Sequence, residues 1–172
     1  MQDFLTNLLL VEDNEDDVFF MRRALRAAKL SSPLQVVTDG QSAIDYIKGS
    51  GIYGDRISYP FPTLVFLDLK LPYLHGFEVL SWIREESSVP DLPVVVLTSS
   101  AEEKDRRRAE KFRAAGYMVK PPETQELHEL FRKLTLPLPA SISAAEFDLP
   151  PGLSRLSPGS RTSQVVEGSN LC

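Results

Sequence analysis

The chain has 172 residues, 42% of them hydrophobic and 25% charged, with a formal net charge of −5. That length suits one domain with an appendage rather than a two-domain enzyme, and the apolar share is enough to bury a core. The acidic balance disfavours binding to nucleic acid or an anionic membrane through the whole-protein field, and the single cysteine, Cys172, rules out an intrachain disulfide and a multi-cysteine metal site. The N-terminus lacks the basic start and long apolar run of a secretory signal, the later apolar stretches are too short to span a bilayer, and Cys172 is misplaced for prenylation, so the expectation is a cytoplasmic protein.

Five apolar runs, at 8–11, 34–37, 64–67, 94–97 and 117–119, punctuate the chain. They are rich in leucine and β-branched residues without polar alternation, the pattern of strands buried on both faces of a parallel sheet. After the first run, Val18, Met21, Leu25 and Ala28 recur at helical steps, and Ala43, Ile44 and Ile47 mark a shorter helix after the second. The stretch 49–62 holds three glycines, two prolines and scattered aromatics. It reads as a long connection, either a lid or docking loop or, preferred, a tolerated surface insertion. Phe77, Leu80 and Ile83 define a third helix. A fourth, at 102–113, carries charge on nearly every face with Ala109 and Phe112 among its few anchors, so it should be marginally held and able to move. Its Arg106-Arg107-Arg108 run reads either as a docking patch or as a solvated face. Leu127, Leu130 and Leu134 set the last helix, which Pro137 and Pro139 should stop. Strand and helix thus alternate as in a doubly wound α/β fold with helices on both faces of the sheet. Residues 1–136 form the expected domain, and the Pro/Ser/Gly-rich tail 137–172 is expected to be flexible.

In an open parallel sheet the active site lies at the carboxyl ends of the strands. The residues that follow the apolar runs are Glu12 and Asp13, Asp68, Thr98 and Lys120. Three carboxylates crowded together repel one another unless a cation relieves them, and oxygen donors suit a hard ion such as Mg²⁺. Lys120 cannot ligate a cation but can pair with an incoming anion. A carboxylate, a divalent cation, an ammonium and a hydroxyl aimed at one point describe a phosphoryl-transfer site, with a carboxylate as nucleophile.

The strings Leu9-Leu10-Val11-Glu12-Asp13-Asn14-Glu15-Asp16-Asp17, Val65-Phe66-Leu67-Asp68-Leu69-Lys70-Leu71-Pro72, Val96-Leu97-Thr98-Ser99 and Tyr117-Met118-Val119-Lys120-Pro121 resemble the receiver domain of two-component response regulators. The likeness covers about residues 5 to 136. The long loop after the second helix, the Asp68-Leu69-Lys70-Leu71-Pro72 string and the expected lack of an output domain look more specifically like the small response regulators that partner bacterial phytochromes. The resemblance implies a flavodoxin-like five-stranded sheet of order 2-1-3-4-5. It implies that Asp68 accepts a phosphoryl group from a histidine kinase, that Asp13 and Asp68 contact Mg²⁺ with the Lys70 carbonyl as third ligand and Glu12 acting through water, and that Thr98 and Lys120 bind phosphoryl oxygens. Tyr117 matches an aromatic switch that turns inward with the threonine, and Lys120-Pro121 matches a bond that is usually cis.

Plainer roles compete at several positions. The acidic run 12–17 also suits solvent-facing surface and helix N-terminal charge, Thr98 a helix cap, and Tyr117 fixed core. His75, before Gly76, reads as an exposed turn residue, and His128 as surface or interface. The Lys70 side chain can lie beside the phosphoryl group and obstruct hydrolytic water, which predicts a long-lived acyl phosphate. The leading function is a stand-alone receiver whose phosphorylation shifts the fourth helix and Tyr117, with a homodimer through Leu127, Leu130 and Phe131 weighed against their burial on the sheet. A haloacid-dehalogenase-type phosphohydrolase is disfavoured because Lys70 stands where those enzymes place a second aspartate, and a non-phosphorylated scaffold because the whole set of site residues is present.

Overall fold

Successive side chains of a strand point to opposite faces, and here both faces are covered, which is why the apolar runs show no alternation. In a computed structural model of the chain, which describes residues 7–99 and 101–134, the strands are β1 (Leu8–Val11), β2 (Leu34–Val37), β3 (Leu64–Asp68), β4 (Val94–Thr98) and β5 (Gly116–Val119). They pair in parallel in the order β2-β1-β3-β4-β5. The helices are α1 (Glu15–Ala27), α2 (Gly40–Lys48), α3 (Gly76–Glu85), α4 (Glu103–Lys111) and α5 (Thr124–Leu134). This is the flavodoxin-like arrangement. All described residues fall in one compact unit, Met1–Leu138; the tail, with the stop expected at Pro137 and Pro139, lies outside them.

The sheet sorts its residues by parity. Leu9, Val11, Val65, Leu67, Val94 and Val96 pack with α2, α3 and Ala109 of α4. Leu8, Leu10, Leu64, Phe66, Val95 and Leu97 pack with α1 and α5. Leu127, Leu130 and Phe131 of α5 are buried in this second layer, so they cover the sheet and offer no exposed side chain for the dimer weighed above. Caps set where the helices begin. Asn14 Oδ1 accepts from the backbone N–H of Asp16 and Asp17 at 2.9 and 3.2 Å, and Asp39 accepts from Ser42 N–H at 2.8 Å. His75, expected only as a turn residue, caps α3: its Nδ1 accepts from Phe77 N–H at 3.3 Å and its own N–H donates to Glu78 at 2.9 Å. Lys48 of α2 lies over the Trp82 ring of α3, 5.1 Å from its centroid.

The stretch 49–62 is built into the fold rather than laid on it. It contains a 3₁₀ turn, Gly51–Gly54, and its Tyr53 and Tyr59 rings pack on buried Tyr46 at centroid distances of 5.1 and 6.1 Å. The Tyr46 hydroxyl donates to Pro60 O at 2.9 Å. Arg56 donates to the carbonyls of Tyr46 and Ile47 at 2.8 and 2.9 Å, satisfying the open end of α2. Its guanidinium passes over Gly49, which ends that helix at φ 74° and where a Cβ would sit 2.8 Å from Arg56 Nη2. The preferred reading of a tolerated insertion therefore gives way to a structural brace.

Helix α4 is shorter than the 102–113 expected. Arg113 takes a left-handed φ of 54°, and Phe112 serves as the C-cap. Among its residues only Ala109 is buried. Its arginines are each engaged: Arg106 lies 4.9 Å from the Tyr117 ring centroid, Arg108 4.4 Å from that of Phe77, and Arg107 pairs with Glu103 at 3.2 Å.

Candidate functional site

The parallel register brings the strand ends level. Asp68, last in β3, is opposite Leu97, and Thr98, last in β4, is opposite Val119. Glu12 and Asp13 follow β1 directly, and Lys120 follows β5. Behind Asp68, Gly76 opens α3 against the backbone, where a Cβ would lie 2.2 Å from the Asp68 carbonyl oxygen. Only glycine lets the helix approach so closely. Among the described residues, Glu12, Asp68 and Thr98 are the charged or polar residues buried in the core, at 1%, 3% and 1% exposure, while Asp13 is exposed.

One carboxylate oxygen from each of Glu12, Asp13 and Asp68 lies within 4.8 Å of the others. Lys120 Nζ pairs with Glu12 Oε2, with Asp17 Oδ2 at 3.0 Å and with Asp68 Oδ1 at 3.1 Å. Glu12 Oε1 accepts from Asn14 N–H at 3.2 Å, while Oε2 is sealed from solvent and depends on Lys120. Burial pushes the Glu12 carboxyl up, against the pull of Lys120. Burial also opposes the Lys120 charge, but hydrogen bonds with Glu12 and Asp17 and the field of Asp68 outweigh it and hold the ammonium above its ordinary value. Lys120 is therefore charged, and three carboxylates share that one cation. The donor set, all carboxylate oxygen around a net negative centre, fits a hard divalent cation.

The remaining predicted residues flank this centre. Lys70 is exposed and donates from Nζ to Ser99 Oγ at 3.3 Å. Tyr117 is partly buried and hydrogen-bonds with Thr98; burial raises its hydroxyl above the ordinary tyrosine value in spite of that bond. The Lys120–Pro121 peptide is cis. His128 stands apart, its Nε2 2.8 Å from Ala28 O at the end of α1. Two residues that sequence reasoning passed over belong to the site's surroundings: Asp17, which reaches Lys120, and Arg106, which covers Tyr117. Asn14 as cap puts Asp17 in the first turn of α1 with Glu15 and Asp16, and the sequence does not single it out from them.

A five-stranded doubly wound sheet with acidic residues, a threonine and a lysine at its strand ends defines the receiver class. The chain belongs to the response regulator receiver domain family, whose model matches residues 8–132. It is similar to the bacteriophytochrome response regulator RtBRR, with 35% identity over 81% of this chain and 84% of that one at a TM-score of 0.68. The response regulator Rcp1 of Synechocystis sp. is 30% identical over 78% of this chain and 93% of its own; one of its crystal structures is an Mn²⁺-bound form, with a TM-score of 0.62. The cyanobacterial phytochrome response regulator RcpA, solved in phosphorylated form, is 31% identical over 76% of this chain and 89% of that one, with a TM-score of 0.61. The chain is thus a two-component response regulator, a signalling protein akin to the phytochrome-associated group. Among the described residues no helix is long and apolar enough to cross a membrane.

Proposed function

We propose that the protein takes a phosphoryl group from a phosphohistidine of a sensor histidine kinase onto Asp68, in the cytoplasm, and that the kinase is of the phytochrome type. A carboxylate oxygen of Asp68 attacks phosphorus, the P–O bond forms as the P–N bond breaks, and the imidazole nitrogen leaves with the electron pair. Asp13 and Asp68 would hold Mg²⁺, with the Lys70 carbonyl and, through water, Glu12. The bound ion would offset charge on the phosphoryl oxygens. Lys120 and the Thr98 hydroxyl bind those oxygens, and drawing Thr98 toward them takes it from Tyr117, so that α4 and β5 respond.

The observation that carries this reading is the Lys120 ammonium 3.1 Å from Asp68 Oδ1 at the mouth of the sheet. An anion added to Asp68 arrives beside a cation already in place. The metal assignment is supported by the three convergent carboxylates and by the Mn²⁺ form of Rcp1, and the phosphoryl assignment by phosphorylated RcpA. Incubation with a small-molecule phosphodonor and Mg²⁺ should label the wild type and leave Asp68→Asn unlabelled. Undiminished labelling of that variant would remove Asp68 from its role.

A further inference from the structure

An ammonium has three donors. Those of Lys120 face Glu12, Asp17 and Asp68. Glu12 and Asp68 come from strand ends and are buried, whereas Asp17 belongs to the first turn of α1 and its side chain is 32% exposed. Asp17 is not needed to cap that helix, because the Asn14 side chain already accepts from its N–H. An acidic side chain in a first helical turn ordinarily rests in water near the helix dipole. Here it is turned onto a lysine that two other carboxylates already hold, 103 residues further along the chain.

Two effects follow from that contact. A lysine stem has four rotatable bonds and loses much freedom when fixed, so a third acceptor arranged around Nζ narrows the positions its head can take. The added charge also leaves the neighbourhood of Lys120 more negative, which favours a cation in the site and weakens the pull of the ammonium on an anion. We propose that Asp17 is a positioning residue for phosphoryl transfer: it pins Lys120 Nζ against Asp68, and its charge biases the site toward cation and away from anion. The phosphoryl half of this statement rests on the receiver reading of Asp68 and Lys120; the placement of Nζ does not.

The test compares wild type, Asp17→Asn, which keeps an acceptor and removes the charge, and Asp17→Ala, which removes both. Thermal unfolding of each variant verifies that it is folded. In metal-free protein, the ammonium resonance of Lys120 in the NMR spectrum should be retained in wild type and Asp17→Asn and broadened by solvent exchange in Asp17→Ala. By calorimetry, Asp17→Asn should bind Mg²⁺ roughly three- to tenfold more weakly and, at saturating Mg²⁺, bind beryllium fluoride, a phosphoryl mimic, more tightly by a similar factor. Opposite signs for cation and anion are the signature that a merely structural role would not produce. Both affinities falling together, neither moving, or an unchanged Lys120 resonance in Asp17→Ala would overturn the proposal. If wild type fails to bind beryllium fluoride while Asp17→Ala broadens the resonance, the receiver reading fails and the placement of Lys120 by Asp17 stands.

Discussion

Helices α4 and α5 are bound to opposite faces of one sheet by different forces. Helix α5 puts Leu127, Leu130 and Phe131 into the core, each a burial that contributes about 1.5–3 kcal/mol. Helix α4 buries Ala109, leans on Arg106 over Tyr117, Arg108 over Phe77 and its C-cap Phe112, 6.3 Å from Phe77, and is tied at its end by Arg84, which donates to Phe112 O and Arg113 O at 2.9 and 3.1 Å. Cation–π contacts at such exposed positions are worth roughly 0.5–1 kcal/mol each. The helix beside the candidate switch is thus held along its length by single ring contacts and at its end by Arg84, while the other is fixed by packing that yields only with the fold. The same sheet therefore carries one element suited to local movement and one that is not.

The largest effect should come from the α5 side. Leu127→Ala should cost about 2–5 kcal/mol, read as a lower midpoint in denaturant unfolding at unchanged slope. A loss under about 1 kcal/mol would mean that α5 is not the stronger anchor. On the α4 side, Arg106→Ala and Arg108→Ala should each lower global stability by no more than about 1 kcal/mol, yet speed amide hydrogen exchange within 103–111 and leave 124–134 unchanged. Equal acceleration in both helices would erase the distinction. The smallest effect is one of pH. Tyr117 has its folded value raised, chiefly by burial, so the stability it contributes is complete below the unfolded tyrosine value and is lost as pH rises through the folded one. Tyr46 is raised as well, so the comparison is between wild type and Tyr117→Phe. The variant should lose less stability across the alkaline range, and the difference should be concentrated in exchange from α4.

Much of this was legible in the sequence, because burial on both faces of a strand writes an uninterrupted apolar run, and a loop-adjacent acid, threonine or lysine after such a run must lie at one edge of the sheet. The positions of Glu12, Asp13, Asp68, Thr98 and Lys120 follow from that rule. What escaped depends on side chains that reach across the chain. Asp17 merged into the acidic run 12–17, and nothing local distinguishes an acid facing water from one facing a lysine 103 residues away. Arg56 and Tyr46 secure the stretch 49–62 through donors to backbone carbonyls, and periodicity records only apolar faces. The arginines of α4 looked like either a docking patch or a solvated face because a guanidinium resting on an aromatic ring carries the same letter as one in water. The end of α4 was misplaced because a left-handed arginine at 113 has no sequence signature comparable to glycine.

Trp82 is the chain's one tryptophan, and it sits on α3 under the Lys48 ammonium, about 9 Å along the helix axis from Gly76. Its emission is therefore a built-in optical probe of the α2–α3 layer, with a neighbouring cation to make it sensitive to how those two helices meet. Its ring packs against the same core layer as Ala109 of α4 and Tyr117 of β5. A change in Trp82 fluorescence on adding a phosphoryl group to Asp68 would show that the α2–α3 layer responds to the site.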